Sequence, residues 1–521
     1  NLINMDNKGK ILWADDEIEL LKPHILFLKK KGFIVNAVNS GEDALSLLKS
    51  ERFDIVLLDE MMTGLDGLTT LRLIKVDHPN IPVVMITKNE DEWLMDEALG
   101  QQISNYLTKP VNPSQVLLAC KSILEKTKLQ YDHTAKSYLN EFNNISLDVN
   151  EAFQYSDWYA IYDKLIDWNL KIDSHSDKSL LQILNDQTLE ANKKFTNFIK
   201  ANYLDWLHQK NRPILTIDIF DKFVSPILDK DEKVLLIVID CLRMDQLKTI
   251  QDILYPHYNF KIESAFSILP TATPYSRNGI FSGLMPSEIQ KRYPAFWKDP
   301  SGDETSLNSF ESELLRTQLD RKGYSKKSMI YNKILTFKEG KKLENKISDY
   351  KNADVISIVV NFVDMLGHSR SDSDVLKEMV QNESAYREAI GSWFEKSWLN
   401  NILNKIKSWD HTIILTSDHG TIRVKKPTKV KADKFASTGI RYKFGRNLKT
   451  DSKSSFVISN PGNYFLPVKD LSTNYIIASE QYFYVYPNDY RYYVNKFEDT
   501  FQHGGVSLDE MIVPVAILTG Y

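Results

Sequence analysis

Six side chains able to hold a metal fall at strand ends: Asp240, Asp364, His368, Asp418 and His419 just past apolar runs, and His503 before a Gly-Gly turn and a last apolar run. Three carboxylates and three imidazoles are the set that two zinc ions need, three protein ligands each with positions left open. Two such ions about 4 Å apart can hold the attacking and leaving oxygens of an in-line displacement at phosphorus. A threonine hydroxyl on one metal would lose its proton and act as nucleophile. Thr271 and Thr273 stand in a hydroxyl-rich turn, SILPTATPYSRNGIFSGLMPSE (267–288). Nearer the start, Asp15, Asp16 and Asp59 would repel one another unless a hard cation such as Mg²⁺ neutralised them. Lys109 adds a point charge for a phosphoryl oxygen and Thr87 a hydroxyl, a set suited to phosphoryl transfer onto Asp59.

Buried strands must carry these groups. KVLLIVIDCLRMD (233–245), DVISIVVNFVDMLGHSR (354–370), HTIILTSDHG (411–420) and FQHGGVSLDEMIVPVAIL (501–518) each read as a short apolar strand beside a turn. In open α/β sheets ligands collect beyond the carboxyl ends of the strands. The N-terminal set lies on KILWADDE (10–17), FDIVLLDEMM (53–62), IPVVMIT (81–87) and ISNYLTKP (103–110). Helical periodicity follows at 41–50, 67–77, 90–99 and 113–127, which predicts a doubly wound (βα)5 sheet. Between the two sets, Trp158, Ile161, Leu165 and Trp168 form one helix face, and 179–207 continues helically. That stripe reads as core. The expected fold class is α/β multidomain: a (βα)5 domain at 8–127, a helical bundle at 128–230, and an α/β/α domain at 231–521.

Composition excludes several classes. With 521 residues, 26% charged and a net charge of −4, the chain as a whole points to neither a polyanion binder nor an acidic tail. The lysines at 425–434 read as a solvated face. No compact unit with a Gly turn and a basic second helix is present, so sequence-specific binding of duplex DNA is not expected. Cys120 and Cys241 are too few for a disulfide framework or a thiolate zinc site. No apolar run nears the ~18 residues of a membrane span, and no signal-like segment opens the sequence, so a cytoplasmic location is expected.

The ordered set Asp-Asp, Asp, Thr, Lys-Pro resembles the receiver domains of response regulators. The resemblance implies that Asp59 accepts the phosphoryl group from a sensor histidine kinase. It also implies that Asp15, Asp16, Asp59 and the Met61 carbonyl bind Mg²⁺, that Thr87 and Tyr106 are the switch pair, and that Lys109 is the phosphate-binding lysine.

VIDCLRMD, PTATPYSR, NFVDMLGH, TSDHG and FQHGGVSLDEMIVP resemble the alkaline phosphatase superfamily, and more closely its PglZ branch. The resemblance implies one zinc on Asp240, Asp418, His419 and the nucleophile, and a second on Asp364, His368 and His503. Phosphodiesterase members share the Pro-Thr-x-Thr turn with the second threonine reacting, which favours Thr273 over Thr271. Arg243 and Arg277 are the candidates for a phosphate clamp. Without a bidentate clamp a diester, such as a cyclic or linear oligonucleotide, is favoured over a monoester. Tyr275, Phe296 and Trp297 are candidates for base stacking. The whole order is similar to response regulators of type IX protein secretion. That likeness implies contacts with a sigma factor and the secretion machinery, and a phosphorylation-dependent homodimer. The expected activity is a signal-controlled zinc phosphodiesterase. The alternative is a non-catalytic adaptor with a structural metal domain.

Overall fold

The computed structural model describes residues 8–88, 103–173, 178–298, 308–372, 378, 380–432, 437 and 439–520, with side chains at 125–133, 178 and 368–372 set aside. Two compact units emerge, residues 1–141 with 174–176, and residues 142–173 with 177–521.

In the first unit, β1 (Lys10–Ala14), β2 (Ile34–Val38), β3 (Ile55–Asp59), β4 (Val83–Thr87) and β5 (Asn105–Thr108) form one sheet in the order β2-β1-β3-β4-β5. All four pairings are parallel. Because both faces are covered, alternate residues of one strand enter separate cores. Trp13, Ile55, Leu57 and Val84 lie in one, and Leu12, Val56, Leu58 and Met85 in the other. Each fully buried aliphatic side chain of this kind is worth about 1.5–3 kcal/mol. The helices expected at 41–50 and 67–77 are Gly41–Ser50 and Gly67–Asp77, capped by Ser40 and Asp66 side chains that accept from Asp43 N and Thr69 N. The segment 90–99 lies outside the described residues. The helix expected over 113–127 spans Pro113–Glu151, so the boundary expected at 127–128 falls within one helix.

The second unit contains the helices Tyr155–Asp173 and Lys178–His208. Trp158, Ile161 and Leu165 are buried, as the stripe requires, whereas Trp168 is half-buried with the Lys171 ammonium 4.8 Å from its ring centre. Six strands then make a mixed sheet. In spatial order they are β7 (Tyr258–Phe266), the C-terminal strand Ile512–Gly520, β10 (His411–Thr416), β6 (Lys233–Ile239), β9 (Val355–Val360) and β8 (Met329–Ile334). The last four run parallel, and the C-terminal strand is antiparallel to both its neighbours. Register matters for function here. Thr416 lies opposite Val238, and Ile239 opposite Val360, so β10, β6 and β9 end level with one another. A mostly β insert, residues 422–502, separates β10 from the C-terminal strand.

Candidate functional site

Asp59 is the last residue of β3 and Asp15 follows β1, so both carboxylates emerge at the carboxyl edge of the first sheet. Gly67 makes this possible: a Cβ there would lie 2.2 Å from the Asp59 carbonyl oxygen. Lys109 Nζ lies 2.8 Å from Asp59 Oδ1 and 3.3 Å from Asp15 Oδ2. Ligand atoms of Asp15, Asp16 and Asp59 fall within 4.8 Å of one another. Burial pushes the Asp59 carboxyl up to about 6; Lys109 opposes the shift and Asp15 adds to it. Asp16 is exposed and accepts from Thr63 Oγ1 at 3.2 Å, and the Met61 side chain points outward. Thr87 is buried and donates to Glu60, whereas Tyr106 is 47% exposed, so the two residues expected to act as a switch pair are split between interior and surface.

The second cluster forms where β10, β6 and β9 end. Asp240 follows β6, Asp418 and His419 follow β10, and Asp364 occupies the first turn of the helix Phe362–Asp372 after β9. His503 follows the short strand Phe501–Gln502. The Asp240, Asp418 and His419 donor atoms lie within 4.8 Å of one another. His419 Nε2 is 3.6 Å from Asp418 Oδ2 and 3.8 Å from Asp240 Oδ1. His503 stacks on the His419 ring, centroids 4.4 Å apart, and its Nε2 is 3.8 Å from Asp364 Oδ1. His368 lies in the same helix as Asp364, and its side chain is outside the described residues.

Gly420 lets the short helix Leu508–Met511 approach: a Cβ there would lie 1.9 Å from the Asp509 carbonyl oxygen. Burial and the neighbouring Asp240 charge push the Asp418 carboxyl well up, and its Oδ2 is buried without a hydrogen bond. Burial pulls the His419 imidazole down, towards the neutral form that ligates metals.

The two threonines separate cleanly. Thr273 is the first residue of the helix Thr273–Ser282, at the positive end of its dipole. Its Oγ1 lies 3.1 Å from His419 Nε2 and 3.4 Å from Asp240 Oδ1. Thr271 is fully buried and faces away. Its hydroxyl donates to Gly505 O at 2.7 Å and accepts from Gly504 N at 3.2 Å.

Neither candidate arginine is available as a phosphate clamp. Arg277 is buried and donates to Asp240 Oδ2 and Glu311 Oε1, each at 2.5 Å. Arg243 is buried against Asp245 and Glu383. Both guanidinium groups are spent on orienting the site's own loops. Tyr275 is fully buried with its ring edge-on to Tyr442, Trp297 is buried beside it, and Phe296 stacks on Phe310. Tyr275 and Trp297 are therefore packing residues, with no open face for a base.

Cys241 was missed. It adopts a left-handed φ of 66°, which costs a non-glycine residue about 1–2 kcal/mol. That turn brings its Sγ to 3.2 Å from Asp364 Oδ1 and 3.6 Å from His419 Nδ1, between the two halves of the cluster. With His419 and His503 it makes a metal-competent group, so a lone thiol does reach the site despite the low cysteine count. Burial pushes this thiol well above its usual range, and Asp364 adds to the shift. Asn308, which donates to Thr273 O at 3.1 Å, was likewise invisible as a site residue because nothing in its surroundings forms a motif.

Among the described residues no helix is long and apolar enough to cross a membrane. Three family models match in succession. They are a response regulator receiver domain at 11–121, a PorX response regulator linker domain at 128–207, and a BREX system PglZ alkaline phosphatase-like domain at 219–518. Similar proteins include the response regulator MprA of Mycobacterium ulcerans, 30% identical over 27% of this chain and 60% of that protein. The transcriptional regulatory protein CpxR homolog of Haemophilus influenzae is 32% identical over 28% of this chain and 63% of its own. The chain thus spans about three fifths of the length of these curated relatives. A solved two-component response regulator from Clostridium difficile is 29% identical, covering 22% of this chain and 95% of that one, with a TM-score of 0.21. The chain belongs to the PglZ alkaline phosphatase-like family, as a two-component response regulator in which a PorX-type linker joins a receiver domain to that phosphatase-like domain.

Proposed function

We propose that this response regulator is phosphorylated on Asp59 by a sensor histidine kinase and that its output is a two-zinc phosphodiesterase acting on cyclic or linear oligonucleotides. One observation carries the catalytic half: the Thr273 hydroxyl converges with His419 Nε2 and Asp240 Oδ1 at a buried strand edge. The donor set fits divalent metal. A buried carboxylate oxygen on Asp418 without a hydrogen bond, beside Asp240, calls for a cation. Asp240, Asp418, His419 and Thr273 would hold one zinc, and Asp364, His368 and His503 the other. Bound there, zinc supplies Lewis acidity toward phosphoryl oxygens and favours the threonine alkoxide.

The chain's own groups do the rest. A bond from Thr273 Oγ1 to phosphorus forms as the bond to the leaving ester oxygen breaks and that oxygen takes a proton. Water then attacks the same phosphorus, the bond to Thr273 Oγ1 breaks and that oxygen regains a proton, so the part of the diester held on Thr273 leaves as a monoester. The positive end of the helix Thr273–Ser282 favours the negative charge gathered there. Arg277 holds Asp240 in place. Because Arg243 and Arg277 are committed to carboxylates, the guanidinium fork that would select a monoester dianion is lacking among these candidates, which favours a diester. In the receiver, Mg²⁺ on Asp15, Asp16, Asp59 and the Met61 carbonyl would support phosphoryl transfer, with Lys109 on the phosphate and Thr87 and Tyr106 as the switch pair. The resemblance to response regulators of type IX secretion extends this reading to sigma-factor and secretion-machinery contacts and to dimerisation on phosphorylation.

The test is elemental analysis of the purified chain with hydrolysis of a generic phosphodiester and a matched monoester. About two zinc per chain and chelator-sensitive diester turnover are expected. Two zinc with no turnover on either ester would give the adaptor role precedence, and absence of transition metal would sink the site.

A further inference from the structure

The helix Tyr155–Asp173 lies inside the PorX-type linker match at 128–207. Its apolar stripe buries Trp158, Ile161 and Leu165. A second stripe runs beside the first: Tyr162, Ile166, Asn169 and Asp173 stand at i, i+4, i+7 and i+11, on one face of a 3.6-residue period. Three of these four are polar, and each of the three bonds to a charged group of the phosphatase-like domain. Tyr162 donates to Asp509 Oδ1 at 2.8 Å. Arg387 Nη2 donates to Asn169 Oδ1 at 3.1 Å and to Asp173 Oδ2.

Those groups brace the two loops that supply Asp240, Asp418 and His419. Arg387 Nη1 donates to Asp245 Oδ2 at 2.9 Å, and Asp245 accepts from Arg243 through both oxygens, at 2.9 and 2.6 Å. Arg243 also donates to Thr421 O at 3.4 Å and pairs with Glu383 at 2.7 Å. Arg243 and Asp245 follow Asp240 by three and five positions, and Thr421 follows His419 by two. The Asp509 carbonyl packs on Gly420, between His419 and Thr421. A continuous series of contacts, Asp173 to Arg387 to Asp245 to Arg243 to Thr421, therefore runs from the linker helix to both loops.

Stability alone does not account for this seam. Arg243, Asp245 and Arg387 are buried, and desolvation offsets most of what buried ion pairs gain. Apolar side chains of similar volume would hold the helix as well or better. Forked, charge-assisted hydrogen bonds add what apolar contact lacks, a fixed orientation of one segment against another. The outer edge of the same helix is different: Asp163 and Asp167 meet Lys248 with their carboxylates 58% and 47% exposed, and pairs of that kind contribute little.

We propose that Arg387 is a positioning residue, through which Asn169 and Asp173 of the linker helix hold the loops 240–245 and 418–421 at the spacing zinc requires. The linker helix is then an outer support of the metal site, and not only a spacer. This rests on the zinc reading of the cluster and is independent of turnover.

The test is the zinc affinity of the full chain, by competition with a chromogenic chelator, together with melting temperatures with and without zinc. Asp173→Asn lies at the half-buried end of its helix, where the fold should tolerate it, and is expected to weaken zinc binding at least about fivefold. Arg387→Met should weaken it further. Asp173→Glu, which keeps the carboxylate, should restore part of the loss, and Asp163→Asn/Asp167→Asn should bind zinc as the parent does. A merely structural role would lower both melting temperatures equally; a positioning role narrows the gap between them, because zinc then stabilises the variant less. Zinc affinity within about twofold of the parent in Asp173→Asn would overturn the proposal. So would a loss in Asp163→Asn/Asp167→Asn as large as that in Asp173→Asn. Failure of the zinc reading looks different: the parent itself takes up no zinc, which removes the site and this support with it.

Discussion

Arg277 and Asp240 form a buried ion pair, Nη1 to Oδ2 at 2.5 Å, while Arg277 Nε holds Glu311 Oε1 from the other side at the same distance. Burial opposes the charge on Arg277, but Glu311 and Asp240 outweigh it and hold the guanidinium well above its ordinary range. The arginine is thus the outer support of a ligand-competent carboxylate, and its second partner, Glu311, lies 71 positions beyond Asp240.

Removing that support strands two buried carboxylates. Arg277→Met is expected to cost about 3–5 kcal/mol of stability, since breaking a buried pair is far worse than never having built it. At zinc concentrations that restore the fold, metal affinity should fall about 10- to 100-fold, the usual loss when an outer partner of a ligand is removed. Urea unfolding and competition with a zinc chelator check both. A loss below about 1 kcal/mol would mean Asp240 is held by something else.

The two threonines of the turn should fail in different ways. Thr273→Ala is expected to abolish diester turnover while zinc content and melting temperature stay near the parent's, because its hydroxyl contacts only the candidate site groups His419 and Asp240. Thr273→Ser should keep part of the rate. Thr271→Ala should act through stability, by about 1–3 kcal/mol, because its buried hydroxyl bridges Gly504 N and Gly505 O. Full turnover in Thr273→Ala would remove it as nucleophile.

For the receiver, the Asp59 carboxyl at about 6 predicts a pH-dependent response to Mg²⁺. With its folded pKa raised above the unfolded value near 3.9, Asp59 binds its proton more tightly in the native state, so rising pH between about 4 and 6 removes stability. A cation restores what ionisation costs. Mg²⁺ at 100 times its dissociation constant should stabilise by about 2.7 kcal/mol at pH 7.5 and by much less at pH 5, where the carboxyl is largely protonated. Asp59→Asn should abolish most of that difference. Thermal melts of the full chain with and without Mg²⁺ at both pH values decide it; an equal effect at both would contradict the assignment.

Much of this was legible because strand-end chemistry is local. Asp240, Asp364, Asp418 and Asp59 each end or follow a continuous apolar run, so sequence position alone places them at a sheet edge. Edge strands were harder. Ile34–Val38 and Met329–Ile334 are only partly buried, with burial patterns that neither alternate nor run continuously. The role of Arg277 depends on Glu311, and that of Cys241 on a positive φ beside Asp240, neither of which leaves a spacing signal. The net charge of −4 describes the whole chain and does not resolve the local excess of lysine and arginine at 421–500. Trp168, expected in the core, is covered by Lys171 rather than by apolar neighbours alone, an arrangement that the helical period cannot distinguish.

A last relationship joins the helix Tyr155–Asp173 to the short helix Leu508–Met511 that leads into the C-terminal strand. Tyr162 donates to Asp509 Oδ1 at 2.8 Å, and burial pushes the Asp509 carboxyl up to about 7, with Arg243 opposing and Glu383 and Asp245 reinforcing the shift. The sign follows from proton uptake. The unfolded chain releases this proton near pH 4 and the native state near pH 7, so Asp509 contributes a steady loss of stability as pH rises across that window. Asp509→Asn, which cannot ionise, should flatten the pH dependence and raise stability at pH 8 relative to pH 5. Tyr162→Phe should do the reverse, since losing a donor to the ionised carboxylate pushes its pKa higher still and extends the window upward. Urea unfolding at pH 5 and pH 8 for the parent and both variants separates these outcomes. An Asp509→Asn variant with the parent's pH dependence would show that the carboxyl is already ionised in the native state.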